Sequence, residues 1–218
     1  MGEKTSASTG LVNREVRSIE WEGKPARAVI AARSYSTGQA DLWDAITDPV
    51  RLKRWFLPVS GDLREGGRYF LEGNAEGTIN RCEAPRLLAV TWEFGGEIGW
   101  VNVTLESEGD HATRLILEHI GHENAAFMEF WDQFGPGAVG VGWDLGLYGL
   151  AEHLRTGEGK PEQGEEEWLK SDEGRALVES SSDAWLHAAV AFGTDEVLAR
   201  EAAARTTAFY TGTAEPGG

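Results

Sequence analysis

Cysteine is nearly absent. Cys82 stands alone in 218 residues, so the chain cannot form an internal disulfide or a cysteine-rich zinc site. Its strand-like surroundings predict a small buried apolar residue, not a nucleophile. Basic residues are also short, 20 against 36 acidic, for a formal charge of −16. Such a surface repels phosphate backbones and anionic lipid, so neither nucleic acid nor a membrane is an expected partner. No apolar segment approaches the roughly 18 residues that a membrane span needs. The start, MGEKTSASTG, lacks the apolar core of a signal peptide. The expected location is the cytoplasm. G-x-S-x-G, P-loop and H-E-x-x-H motifs are missing, and no cofactor is expected.

Aromatics, by contrast, are plentiful: nine Trp and eight Phe. They fill cores and line apolar ligand sites. The most telling stretch is Gly135 to Leu154, GPGAVGVGWDLGLYGLAEHL. Val139, Trp143, Leu147, Leu150 and Leu154 recur at helical spacing, and Pro136 suits a helix's first turn. Gly140, Gly142, Gly146 and Gly149 each cost a helix about 1 kcal/mol relative to Ala. Something must therefore approach this backbone closely: sheet, neighbouring helix or ligand.

Along the chain, a small polar tail (1–14) is expected to be disordered. A hairpin follows, with its turn at Glu22-Gly23-Lys24-Pro25. Ser36 or Thr37 can cap a short helix carrying Leu42, Ala45 and Ile46, and Pro49 opens a second. Five strands are predicted at 67–72, 77–82, 87–94, 100–106 and 113–119. Leu88, Val90, Trp92 and Phe94 share one face, as do Val101, Val103 and Leu105, and Leu115, Leu117 and His119. Close spacing makes this an antiparallel meander with one wet and one covered face. An aromatic loop and short helix (122–134) lead into the long helix. The body thus spans 15–155, an acidic linker 156–167, and a helical extension 168–211. In the extension Ser171 or Asp172 starts one helix, Gly193 ends it, and Thr194 caps the next. Those two helices bury their apolar faces on the body or on a second copy, a possible homodimer.

Gly135-x-Gly137-x-x-Gly140 matches a dinucleotide fingerprint but lacks its strand–turn–helix context. His119-x-x-His122 has ligand-type residues but too few for a structural metal site, so no metal is expected. His119 is a polar tip on an apolar face. It is either a satisfied core histidine or a group that meets a ligand or acts as a base. Glu129 and Asp132 share a helical face that reads as solvated, as does Asp144.

Several segments together resemble the START-like helix-grip (SRPBCC) superfamily. They are closest to its branch named after the activator of heat-shock-protein-90 ATPase. They are Asp48-Pro49 through Trp55-Phe56, Gly61-Asp62-Leu63-Arg64-Glu65-Gly66-Gly67-Arg68, Pro85-Arg86-Leu87 through Thr91-Trp92, Thr113-Arg114-Leu115 through His119, and Gly142-Trp143 through Leu150. The resemblance covers about Val16 to Leu154. It implies an α+β fold in which a curved antiparallel sheet grips a long C-terminal helix, as in START and birch-allergen proteins, here with an extra helical hairpin. It also implies a cavity between the two. Tyr69, Trp92, Phe94, Val103, Leu117, His119, Phe130, Trp143 and Leu147 are the expected lining for a small apolar or aromatic ligand. A cyclase-, dehydratase- or hydrolase-type enzyme would use His119 as base, with Tyr69 or Asp144 assisting. A chaperone regulator is the third reading open.

Overall fold

Two strands open the fold, β1 (Val12–Trp21) and β2 (Lys24–Tyr35). They are joined through Glu22 (φ 48°) and Gly23 (φ 75°). Positive φ at both central residues is the type I′ geometry that matches strand twist, and glycine adopts it without steric cost. The computed structural model describes residues 11–159 and 164–213. Residues 1–10 of the expected tail and 160–163 of the expected linker lie outside them. Within the described part, β1 begins at Val12, so 12–14 belong to the sheet and not to a tail. Arg14 is fixed there by a buried partner, described below.

Helix α1 (Gln39–Thr47) buries Leu42, Ala45 and Ile46 as their spacing predicts. Neither Ser36 nor Thr37 caps it. Gly38 occupies the cap, and the Thr37 hydroxyl instead donates to Asp41 Oδ2 at 2.7 Å. Asp48 then caps α2 (Pro49–Trp55), accepting from the Val50 and Arg51 amides at 2.9 Å, with Pro49 at the first position.

Six strands follow: β3 (Val59–Gly61), β4 (Arg68–Leu71), β5 (Glu76–Glu83), β6 (Leu87–Phe94), β7 (Glu97–Ser107) and β8 (Thr113–His122). Strand β3 is a three-residue edge piece that hydrophobic alternation could not signal. The sheet order is β1-β2-β8-β7-β6-β5-β4-β3, and β3 to β8 pair antiparallel. Helices α3 (Ala125–Phe134), α4 (Gly137–Thr156), α5 (Glu165–Leu169), α6 (Asp172–Phe192) and α7 (Glu196–Thr211) complete an α+β chain. Helix α5 turns within what reads as linker.

These elements form two compact units. One holds β1, β2 up to Ala31, the chain from His122 to Tyr148, and the helices after Pro161. Here α6 packs on β1, and α7 packs on α6 and α3. Ser171 caps α6, accepting from the Gly174 amide at 3.1 Å. Gly193 (φ 110°) ends α6, and the Thr194 amide returns to the Ala189 carbonyl at 3.0 Å. The cap of α7 is Asp195, not Thr194: its carboxylate accepts from the Val197 amide at 2.9 Å. Both faces that the extension buries therefore meet elements of this same chain.

The glycines of α4 explain how. A Cβ on Gly140 would fall 2.1 Å from the Trp185 indole, one on Gly137 2.9 Å from Thr206 Oγ1, and one on Gly142 2.8 Å from the Tyr210 hydroxyl. Tyr210 donates to the Ala138 carbonyl at 2.6 Å, and Arg205 to that of Gln133 at 2.6 Å. Trp185 is 1% exposed. Next to it, Asp144 (2% exposed) accepts at Oδ2 from Arg14 Nε at 2.8 Å, Trp185 Nε1 at 3.0 Å and the Ser181 hydroxyl. Asp144 is thus a buried tie between β1, α4 and α6, not part of a solvated face. Burial pushes its carboxyl upward, while Arg14, Ser181 and Trp185 pull it down.

The second unit holds the end of β2, α1, α2, β3 to Gly121 of β8, and α4 from Gly149. A Cβ on Gly149 would stand 3.0 Å from the Trp55 carbonyl of α2, so glycine here too marks a close approach. Cys82 is exposed near the end of β5, contrary to the buried reading. Its strand neighbours Arg81 and Glu83 form an ion pair in solvent.

Two outcomes follow. Gly140→Ala improves intrinsic helix propensity by about 1 kcal/mol, yet the new methyl must displace the Trp185 ring. Urea unfolding is expected to show a net loss of about 1–3 kcal/mol. Arg14→Met leaves the Asp144 carboxylate buried without its counter-charge. The same measurement should show about 3–5 kcal/mol lost, and a loss under about 1 kcal/mol would mean that the pair is incidental.

Candidate ligand-binding site

The register of β4 to β8 sets one face of the second unit. Direct antiparallel partners present side chains on the same side. Tyr69 pairs with Gly77, Ile79 with Val90, and Trp92 with Gly99. Val101 pairs with His119, Val103 with Leu117, and Leu105 with Leu115. The sequence-predicted residues Tyr69, Trp92, Val103, Leu117 and His119 therefore share a face. The other face carries Arg68, bridged to Glu93 at 3.0 Å and to Glu76 at 3.3 Å. It is not wet throughout: Trp100 and Ile120, partners on that side, are buried.

Within the first face the core is closed at some positions and open at others. Val90, Val101, Leu105, Leu115 and Leu117 are buried, whereas Leu88, Trp92, Val103 and His119 are only half-buried. Trp92 and His119 meet edge-on with ring centroids 6.1 Å apart. A Cβ on Gly99 would lie 3.2 Å from His119 Nε2 and 2.8 Å from the Ile120 carbonyl. Glycine at that position lets the imidazole lie over β7. The sequence reading missed Gly99, although glycine inside an alternating strand is a known sign of close approach.

Loss of solvent around the ring pushes the His119 pKa down to about 4 from the ordinary 6.5. The imidazole is therefore neutral at neutral pH, able both to donate and to accept a hydrogen bond. Tyr69 is buried, and its hydroxyl donates to the Thr91 carbonyl at 2.7 Å. Burial raises its pKa above the usual phenol range, and Glu93 adds to the rise.

Other expected lining residues are placed differently. Phe94 has the right parity but sits at the end of β6 beside the Gly95-Gly96 turn, 58% exposed. Phe130 lies on α3, 44% exposed, against Phe134 at 5.1 Å between ring centroids. Trp143 and Leu147 lie one turn apart on α4, half-buried and buried respectively. Asp144 has its Oδ2 held by Arg14, Ser181 and Trp185, as above. His122 is three residues from His119 on β8, hence on the opposite face, and its Nε2 meets the Trp21 carbonyl at 3.0 Å. Among the described residues no three His, Cys, Asp or Glu side chains converge as metal ligands do. No described helix is long and apolar enough to cross a membrane.

A sheet in this order, with two short helices after its first hairpin and a long helix after its last strand, defines a helix-grip protein. The family model described as Activator of Hsp90 ATPase homolog 1-like protein matches residues 36–155, and the chain belongs to that family. CalU16 from Micromonospora echinospora is similar over 84% of this chain. In the crystal, 32% of residues are identical over 99% of CalU16 with a TM-score of 0.64; in solution, 34% over 97% with 0.67. DynU16, from the dynemicin biosynthetic locus, shares the fold at 22% identity over 61% of this chain and 48% of its own, with a TM-score of 0.53. No curated protein is significantly similar.

The depressed His119 pKa has a sign. As pH falls, the unfolded chain takes up the proton near 6.5 and the folded chain only near 4. The stability it contributes is complete above about pH 6.5 and lost progressively down to about pH 4, about 3 kcal/mol in all. Urea unfolding at about pH 7 and about pH 5 should show wild type losing about 2 kcal/mol more than His119→Gln. Equal losses would remove the desolvated imidazole from the account.

Proposed function

We propose that this chain binds a small neutral molecule of apolar or aromatic character against the β4–β8 face, with Trp92 and His119 as its principal contacts. The observation that carries this reading is the half-buried Trp92–His119 pair on an apolar face whose Val90, Val101, Leu105, Leu115 and Leu117 are buried. The half-buried Leu88 and Val103 leave further apolar surface for a ligand to cover. Such burial supplies about 25 cal/mol per Å². A neutral imidazole presents no fixed charge to such a ligand. Membership in a helix-grip family supports a binding role of this kind, though the fold alone assigns no ligand.

Binding is favoured over catalysis because the expected assistants are committed elsewhere. Tyr69 has its hydroxyl on Thr91, and Asp144 is held by Arg14, Ser181 and Trp185. An acid–base mechanism needs a second group tuned to its partner, and neither serves. The free, exposed thiol of Cys82 fits a reducing cytoplasm.

Nile red, a neutral apolar dye, tests this reading by fluorescence titration. Wild type should bind it, and Trp92→Ala should weaken binding about tenfold, the equivalent of about 1.4 kcal/mol. Circular dichroism would check that the variant is folded. If a folded Trp92→Ala protein binds the dye as tightly as wild type, the proposed face is not the site.

A further inference from the structure

A hollow lies within the first unit, among α3, α6 and α7. Its volume is about 400 Å³, within the range of small-molecule pockets. Trp131 and Phe134 of α3 and Trp185, Leu186 and Phe192 of α6 supply apolar walls, and small residues of α7 (Ala199, Ala202, Ala203) leave the space open. Replacing those alanines with larger residues would fill it. Leu186, Ala189 and Ala199, which also line it, pack together between α6 and α7.

The lining's polar side chains are Arg27, Asp132, Thr194 and Ser182, and of these only Ser182 is buried. It is 2% exposed, and its hydroxyl has no hydrogen-bond partner among the described residues. A helical serine ordinarily returns its hydroxyl to a carbonyl one turn back. A buried hydroxyl left unpaired is destabilising, so a group that meets it gains correspondingly. At the hollow's edge Arg27 lies 4.6 Å from the Trp131 ring centre and 5.5 Å from that of Phe192, with its charge paired to Glu123 at 2.9 Å. That pairing neutralises the cation, so Arg27 presents no free positive charge to an anion.

We infer that this hollow is a second binding site, one that takes a planar aromatic molecule carrying a single neutral hydrogen-bonding group. The aromatic walls take the ring, and Ser182 Oγ takes the polar group. The site is independent of the β4–β8 face, and neither reading requires the other.

Naphthol and naphthalene, titrated into the ¹⁵N-labelled full chain, are suitable probes. The indole N–H resonances of Trp131 and Trp185, assigned by Trp→Phe variants, report this site alone. Naphthol is expected to move both signals and to bind more tightly than naphthalene. Ser182→Ala should remove about fivefold of the naphthol affinity and leave naphthalene unchanged. Ala203→Phe, on the partly exposed side of α7, should abolish both shifts while the protein stays folded, and Trp92→Ala should leave them intact. The proposal is overturned if neither probe moves the two indole signals, if Ala203→Phe binds as wild type does, or if Ser182→Ala weakens both probes equally.

Discussion

The first unit depends on one buried carboxylate. Asp144 sits midway along α4, and its Oδ2 receives Arg14 from β1 together with Ser181 and Trp185 from α6. An ionised carboxylate cannot be taken out of water cheaply, and in this core it is compensated only while all three elements are in place. The tie therefore acts as a condition on assembly. β1, α4 and α6 either meet in this register or leave a charge uncompensated. Among the described residues Oδ1 accepts no hydrogen bond, so the arrangement is selective without being fully satisfied. Breaking such a tie costs more than forming it gains.

The glycines of α4 belong to the same constraint. An indole can lie against Asp144 only if the preceding turn has no side chain, and Gly140 provides that gap. Gly137 and Gly142 repeat the device toward Thr206 and Tyr210 on α7, and Gly149 toward the backbone of α2. The helix gives up intrinsic propensity at each place and gains a close, well-filled contact. Of the three neighbours that the glycines allowed, the helices account for the contacts in the first unit.

Much of this was legible in the residues themselves, because strand parity is strict. The alternations of Leu88–Trp92, Val101–Leu105 and Leu115–His119 placed four of the expected ligand contacts on one face, and the register joins them. Parity does not report how far along a strand the cover extends, which is why Phe94 reads as lining and lies exposed. Nor does it find three-residue β3. Arg14 and Asp144 were illegible for a different reason. Each looks solvated by itself, and only the pairing of residues 130 positions apart makes burial affordable. Thr194 and Asp195 are both good caps. The choice fell to the residue whose successor is already helical, a distinction of one position that composition does not encode.

The electrostatics of the two candidate sites converge on the same kind of ligand by different routes. At the β4–β8 face, desolvation keeps His119 uncharged, so no fixed cation is offered to an acid. At the helical hollow a cation is present, but Glu123 already neutralises Arg27 and two rings cover it. Around both, a formal charge of −16 sets a field that opposes the approach of anions. A carboxylate or phosphate would forgo its hydration in either place for no opposite charge, whereas a neutral ring loses little on leaving water and gains contact area. Polarity in these sites then decides orientation, and apolar area decides affinity.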